Sequence, residues 1–255
     1  ANLSAVWGLS PAAGLSSLLE SDDAPTASWT DDDGVDHAYW VVDDPARVDA
    51  IAAAIAAEPV VIADGHHRYE TSLAYRDERR AADGDAPSGH DLVMTYVVEL
   101  VDDELTVLPI HRLISGLPDD LDLAAALEPW FVVEPAPEPT TLTVAALVDR
   151  GALCLVGPDG AWWLTPRPEA LAGARDLDTS RLDAALADLP PHELVFQHGI
   201  DNIATRVGRG DAQWGVLLRP ATVAQIVDIA HGGERMPPKT TFFHPKPRTG
   251  VVFRT

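Results

Sequence analysis

Residues 60–73 read VVIADGHHRYETSL, an apolar run joined through a turn to a segment of helix-forming composition. The β-branched run that ends in Asp64-Gly65 predicts a buried strand stopping at a sharp turn. Tyr69 and Leu73 are apolar and four residues apart, so a helix is predicted to begin at about Tyr69. The rest of the fold is expected to be arranged around this strand-to-helix junction.

The side chains at the junction predict an anion site. A helix N-terminus has unpaired N–H donors and the positive end of the helix dipole. Gly65 lets the backbone approach an anion closely, and His66, His67 and Arg68 can supply charge-assisted hydrogen bonds. The alternative is a helix cap with surface histidines; the density of polar residues after a strand favours the site.

Asp64 needs a separate interpretation, because a carboxylate pointing inward would oppose an anion. It is interpreted as a ligand for a cation, a group that orients a histidine, or the group that activates a hydroxyl. Arg112, which follows His111 at a predicted strand end, and the lysines Lys239 and Lys246 add positive charge if the fold brings them close. Otherwise they are ordinary surface residues.

Composition excludes several classes of protein. The 255-residue chain has a formal net charge of −22, which disfavours binding to nucleic acid or to an anionic membrane. No stretch approaches the ~18 apolar residues of a membrane span, and no signal pattern opens the chain, so a cytoplasmic protein is expected. Cys154 is the single cysteine and lies in an apolar run, which predicts a buried thiol and excludes an internal disulfide.

The pattern of apolar residues predicts a mixed α/β (or α+β) fold. The first half is expected to contain strands near residues 3–9, 37–42 and 60–63, helices at 14–20, 45–57 and 69–82, and a loop at 21–34. Residues 92–101 and 105–110 predict a hairpin. Two portions are expected, 1–115 and 116–255, or else one continuous domain.

The second half predicts further helices and strands. Helices are expected near 119–127, 140–149, 179–189 and 221–230, and strands near 130–133 and 214–218. Residues 153–156 and 161–164 predict a hairpin around a Gly-Pro-Asp-Gly turn. Residues 231–246 predict an irregular loop, followed by a closing strand at 250–253.

Common catalytic signatures are absent from the sequence. It contains no phosphate loop of the Gly-x-x-x-x-Gly-Lys type, no Gly-x-Gly-x-x-Gly, no nucleophile elbow and no His-Glu-x-x-His. His66 and His67 are adjacent, so on a helix they point about 100° apart and cannot readily share one metal. No metal site built from side chains is predicted, and a metal-dependent hydrolase is only a third alternative.

Three motifs resemble those of a widespread family of uncharacterised proteins, the domain of unknown function 1015 family. Asp64 to Thr71 (DGHHRYET) resembles its signature, and Leu108 to Arg112 (LPIHR) resembles its LPTHR stretch. Met236 to Lys246 (MPPKTTFFHPK) resembles its MPPKSTYFYPK element. The resemblance covers the chain from about residue 5 to its end.

That family is similar to the ParB/sulfiredoxin-like superfamily, which includes free-serine kinases with the same loop. The resemblance implies a partial phosphate-loop core with a C-terminal α/β extension. It implies that Gly65, His66, His67 and Arg68 hold nucleotide phosphate, with Asp64 near an acceptor hydroxyl and Mg²⁺ accompanying ADP or ATP. Nothing before Asp64 matches the family's His-Glu-containing N-terminal motif, so a truncated or non-catalytic member is expected.

Two functions follow from the sequence. The first is nucleotide binding with phosphate transfer to a small hydroxyl metabolite such as serine. The second is a regulatory module that senses a nucleotide or metabolite without turnover.

Overall fold

The computed structural model describes residues 2–102, 104–234, 236–244 and 246–254. The chain divides into two compact units. The first unit comprises residues 1–105 and 245–255, and the second comprises residues 106–244. The C-terminal end of the chain therefore belongs to the same unit as the DGHHR motif.

The first unit contains five strands and three α-helices within its described residues. In chain order they are β1 (Val6–Ser10), α1 (Leu15–Leu19), β2 (Ala27–Thr30), β3 (Asp36–Tyr39), α2 (Pro45–Ala56), β4 (Val61–Asp64), α3 (His66–Asp83) and β5 (Thr95–Glu99).

A three-stranded sheet in the order β4-β1-β5 forms the core of the first unit. Strand β1 pairs antiparallel with β4 and parallel with β5. It is buried along its whole length, from Val6 to Ser10. The side chain of Glu99, at the end of β5, accepts hydrogen bonds from the N–H groups of Gly14 (2.8 Å) and Ser16 (2.7 Å), which satisfies donors at the start of α1.

Strands β2 and β3 form a separate antiparallel hairpin. The sequence predicted a loop for residues 21–34, and the strand β2 within it was missed. The strand has only four residues and is mostly exposed, because the hairpin belongs to no larger sheet, and it lies in an acidic stretch that reads as a loop.

The second unit contains eight strands and five α-helices within its described residues. They are β6 (Thr106–Pro109), β7 (His111–Ser115), α4 (Leu123–Leu127), β8 (Phe131–Ala136), α5 (Thr143–Arg150), β9 (Leu153–Gly157), β10 (Gly160–Pro166), α6 (Asp178–Leu186), β11 (Glu193–Gln197), α7 (Ile200–Gly208), β12 (Trp214–Leu217), α8 (Val223–His231) and β13 (Thr241–His244).

A six-stranded antiparallel sheet in the order β11-β7-β12-β9-β10-β8 lies between two apolar clusters. Leu153 and Leu155 of β9 pack in the cluster that includes α4 and α6, whereas Cys154 packs with α5 and α7. Successive side chains of a strand point to opposite faces, so a strand covered on both faces reads as a continuous apolar run. The predicted burial of Cys154 is confirmed, and burial raises the pKa of its thiol to about 12.

The predicted mixed α/β class and the hairpin at 153–164 are confirmed. The predicted hairpin between residues 92–101 and 105–110 is wrong, because β5 pairs with β1 while β6 pairs with β13. A strand's apolar pattern identifies the face that it buries but not its partner strand. Helix α7 and the strands β7 and β11 were not predicted.

The predicted closing strand at 250–253 is also wrong. The described residues there form bends, and Arg254 makes an isolated bridge with Asn2. Strand β13 lies instead inside the segment that was predicted to be irregular. Among the described residues, no helix combines the length and the apolar character that crossing a membrane requires.

Candidate functional site

The DGHHR motif forms the connection between β4 and α3, as the sequence predicted. Gly65 has a φ of +92°, a conformation that costs a residue with a Cβ atom free energy. A Cβ atom added there would lie 2.8 Å from Nε and Nη2 of Arg68, so the guanidinium folds back over this glycine. Glycine is therefore required both by the turn and by the position of Arg68.

Helix α3 begins at His66, three residues before the predicted start, and runs for 18 residues. Its first intrahelical hydrogen bond joins the N–H of Tyr69 to the carbonyl of Gly65, at 2.9 Å. The N–H groups of residues 66–68 consequently have no carbonyl within the helix, and Gly65 has no side chain to cap them. This end of the helix offers three N–H donors and a positive dipole end to an anion.

Arg68 is held by the N-terminal segment of the first unit. Its Nη1 donates hydrogen bonds to the hydroxyl of Ser4 and, at 2.5 Å, to the carbonyl of Ala5. Its Nη2 lies 3.8 Å from Oδ1 of Asp64. Ser4 was missed by the sequence analysis, and a lone serine 64 positions upstream carries no signal that could have identified it.

Asp64 and Lys246 form an ion pair beside the loop. Nζ of Lys246 lies 2.9 Å from Oδ2 of Asp64, and the N–H of Gly65 donates to Oδ1 at 2.7 Å. Partial burial acts to raise the pKa of the Asp64 carboxyl, but the hydrogen bonds and the positive charges of Lys246 and Arg68 lower it overall. The carboxylate is therefore ionised near neutral pH, and its charge is balanced by two cations.

The two histidines of the motif lie on the surface. His66 is exposed, and the side chain of His67 is fully exposed, with Nδ1 3.5 Å from Oε2 of Glu70. They can therefore contact a ligand without a rearrangement of the core. The structure thus brings five of the predicted site residues, from Asp64 to Arg68, together with Lys246.

The remaining predicted site residues belong to the second unit. His111 and Arg112 on β7 are 2% and 1% exposed, whereas Lys239 is exposed and has a φ of +58°. Arg112 donates from Nη1 to the carbonyl of Ile110 at 2.6 Å and lies 4.6 Å from the ring centre of Phe196. The part of these three residues in phosphate binding stays a prediction.

The environment of His111 keeps its imidazole neutral. Burial lowers its pKa to about 4, and the charges of His198 and Arg112 act in the same direction. Its Nδ1 accepts a hydrogen bond from the N–H of Leu218 at 3.2 Å. A neutral, buried imidazole contributes no positive charge to a binding site at physiological pH.

The donor set at the loop limits how Mg²⁺ could be held. Within the described ranges, no three His, Cys, Asp or Glu side chains cluster in a way that would hold a metal ion. Mg²⁺ that accompanies a nucleotide needs only one or two carboxylates besides the phosphates and water. Asp64 can supply one such ligand, so the loop fits a metal delivered by phosphate groups but not a metal held by protein alone.

Fold and loop together define a mixed α/β protein with a cationic strand-to-helix turn. The chain belongs to the family described as protein of unknown function DUF1015, whose model matches residues 1–185. The family predicted from the three motifs is thereby confirmed.

Several solved structures are similar to this chain. A free serine kinase in complex with AMP is 17% identical over 72% of this chain and 67% of its own, with a TM-score of 0.44. A conserved hypothetical protein from Pyrococcus furiosus is 15% identical over 72% and 69% of the two chains, with a TM-score of 0.43. SbnI with a C-terminal truncation, from Staphylococcus aureus, is 14% identical over 82% and 80%, with a TM-score of 0.42.

These likenesses are distant and assign no function to this chain. No curated protein matches it. The similarity to the ParB/sulfiredoxin-like superfamily stays a prediction.

Proposed function

We propose that the protein binds a nucleotide through its terminal phosphates at the turn formed by residues 64–68. The observation that carries this proposal is the cluster of donors around Gly65: three N–H groups of α3, the guanidinium of Arg68 and the ammonium of Lys246. Such donors suit the oxygens of a phosphate group in charge and in hydrogen-bonding character.

The charge of the whole chain strengthens this interpretation. In a protein with a formal net charge of −22, a cationic turn is a local exception. Asp64 would repel a phosphate if it were unpaired, but Lys246 and Arg68 balance its charge. The nucleotide, as opposed to inorganic phosphate, is proposed because the turn resembles loops that cradle nucleotide phosphates.

Isothermal titration of the protein with ADP, ATP and CTP, with and without Mg²⁺, tests the proposal. Arg68→Ala removes charge-assisted hydrogen bonds and is expected to weaken binding about 10- to 100-fold. Arg79→Ala is the matched control, because Arg79 lies on the same helix but pairs with Asp83 at its far end. Absence of nucleotide binding, or equal affinities for the parent and Arg68→Ala, would reject the proposal.

We further propose that the bound nucleotide donates a phosphoryl group to the hydroxyl of a small metabolite such as serine. The bond between the terminal phosphorus and its bridging oxygen breaks, a bond to the hydroxyl oxygen forms, and the carboxylate of Asp64 accepts the hydroxyl proton. Mg²⁺, when bound, neutralises the phosphate charge. Asp64→Asn should retain nucleotide binding and lose phosphoryl transfer; transfer at the parent rate would exclude this role.

A regulatory module that binds nucleotide without turnover is the second candidate. It is favoured by the hydrogen bonds of Asp64, since both carboxylate oxygens already have donors. Assays of phosphate transfer from ADP and ATP to free serine and other hydroxyl metabolites separate the two candidates. Tight binding without transfer across that panel would favour the sensor.

A further inference from the structure

A cavity of about 420 Å³ lies in the first unit, between the β2–β3 hairpin and the C-terminal segment. Its walls combine three aromatic rings, from Trp29, His37 and Tyr39, with polar groups that include Asp31 and Arg248. The volume lies within the range of about 300–1,000 Å³ that is typical of small-ligand pockets. Nothing in the proposed phosphate chemistry uses these rings.

The aromatic wall is arranged for stacking. The rings of Trp29 and His37 are nearly parallel, with 15° between their planes and 5.0 Å between their centres. Tyr39 packs edge-on to Trp29, with ring centres 6.5 Å apart. Trp29 nevertheless remains 37% exposed, although a large apolar ring gains free energy when it is covered.

The polar wall is held together by hydrogen bonds and by the ion pair between Asp31 and Arg248. Asp31 accepts hydrogen bonds from the N–H groups of Asp33 and Val35, both at 3.0 Å, and lies 2.8 Å from Nε2 of His37. Arg248 donates from Nη2 to Asp31 and, at 2.9 Å, to Asp33. Because Asp31 is already paired, an organic cation would find no unpaired carboxylate from Asp31 in this cavity.

Arg248 also retains hydrogen-bonding capacity. Nη2 donates both of its hydrogen bonds, and within the described part of the chain Nε and Nη1 donate none. A guanidinium edge suits the acceptor atoms of a heterocycle, such as the N7 of a purine. Stacking rings together with a donor edge are the groups by which proteins hold nucleobases.

The C-terminal segment links this cavity to the cationic turn. Lys246 contacts Asp64, and Arg248, two residues further on, contacts Asp31. The Cα atoms of two residues so separated lie at most about 7 Å apart. The cationic turn and the cavity are therefore contacted by one short stretch of chain in the first unit.

We infer that the cavity lined by Trp29, His37 and Tyr39 holds the base of a purine nucleotide whose phosphates lie at the turn of residues 64–68. The inference rests on the proposed function and adds the part of the site that recognises the base. Purines offer a larger stacking surface than pyrimidines, so ADP and GDP should bind more tightly than CDP and UDP.

The test compares ADP, inorganic pyrophosphate and adenosine as ligands for the parent protein and for Trp29→Ala. The variant should bind ADP roughly 5- to 100-fold more weakly while its affinity for pyrophosphate stays unchanged. Trp29→Phe, which keeps a stacking ring, should restore most of the ADP affinity. Trp40→Ala is the matched control, because Trp40 is an exposed tryptophan next to β3 that does not line the cavity.

The outcomes separate this inference from the proposed function. If ADP and pyrophosphate both bind but Trp29→Ala leaves the ADP affinity unchanged, the base site is overturned and the phosphate site stands. If neither ADP nor pyrophosphate binds the parent, the proposed function fails. Adenosine, which has no phosphate, then tests the base site separately. Adenosine binding that Trp29→Ala abolishes supports the base site, and absence of adenosine binding overturns it.

Discussion

Two His-Arg pairs in this chain look alike in sequence and differ completely in the fold. His67-Arg68 lies at the start of α3, where the side chain of His67 is 100% exposed and that of Arg68 is 37% exposed. His111-Arg112 lies on β7, where the two residues are 2% and 1% exposed. The first pair can meet a ligand directly, whereas the second is part of the interior of its own unit.

A cationic motif therefore indicates binding only when its surroundings leave it accessible. The guanidinium of Arg112 donates a hydrogen bond to the carbonyl of Ile110 and packs over the ring of Phe196. Arg68 uses Nη1 to anchor itself to residues 4 and 5 and keeps its other nitrogens over Gly65. We therefore expect substitutions at the second pair to act on stability and those at the first to act on ligand binding.

The largest expected effect is that of Arg112→Ala on stability. Removal of a large buried side chain leaves a cavity and deprives the Ile110 carbonyl of its donor, which should lower the free energy of unfolding by about 3–5 kcal/mol. Denaturant-induced unfolding, followed by a spectroscopic signal from the second unit, measures this loss of stability. Arg112→Met, which keeps most of the volume without the charge, should be less damaging. A loss below about 1 kcal/mol for Arg112→Ala would contradict a structural role for the buried guanidinium.

The next effect concerns the pH dependence of stability. Because the pKa of His111 is about 4 in the fold against an ordinary 6.5, the unfolded chain binds more protons between these values. The contribution of neutral His111 to the free energy of unfolding is therefore complete above pH 6.5. It is lost as pH falls toward 4, by roughly 3 kcal/mol in all.

His111→Gln should flatten this part of the stability profile, since the amide can still accept the hydrogen bond from Leu218 without titrating. His67→Gln changes a fully exposed position and should follow the parent profile. Unfolding free energies measured from pH 4 to pH 7 provide the check. A parent profile that is flat across this window would contradict the burial of His111.

The smallest expected effect is that of Lys246→Ala. Both partners of the Lys246–Asp64 pair are about half exposed, so stability should change by at most about 1 kcal/mol. With burial then opposed by fewer positive contacts, the pKa of Asp64 should rise, which a carboxyl NMR titration detects. Arg79→Ala, at the far end of α3, should leave the Asp64 titration unchanged. If the pKa of Asp64 is the same in the parent and in Lys246→Ala, the ion pair is not formed in solution.

Much of the local structure was predictable because it depends on short-range patterns. The strand, glycine turn and helix at residues 60–83 follow from β-branched residues, a glycine and helix-forming side chains in succession. The hairpin at 153–164 follows from two apolar runs around a turn. Strand pairing was not predictable in the same way, as β5 and β6 are neighbours in sequence and belong to different sheets.

In the candidate site, too, local features could be predicted and long-range contacts could not. The chemical nature of the DGHHR turn could be predicted from its residues, but the contacts of Arg68 with residues 4 and 5 could not. The ion pair of Asp64 with Lys246 joins residues 182 positions apart, and no local pattern encodes that separation. The aromatic cavity was missed because β2, the strand of the hairpin that carries Trp29, was predicted to be part of a loop.

The family, the mixed α/β class and the position of a cationic turn between a strand and a helix could all be predicted from the order of the residues. These features depend on the order of neighbouring residues and on the conformations that each residue allows. The ion pair of Lys246 with Asp64, the burial of His111-Arg112 and the three aromatic rings of one cavity are evident only in the folded chain. Burial and pairing depend on residues far apart in the chain, whose approach is set by the packing of the whole unit.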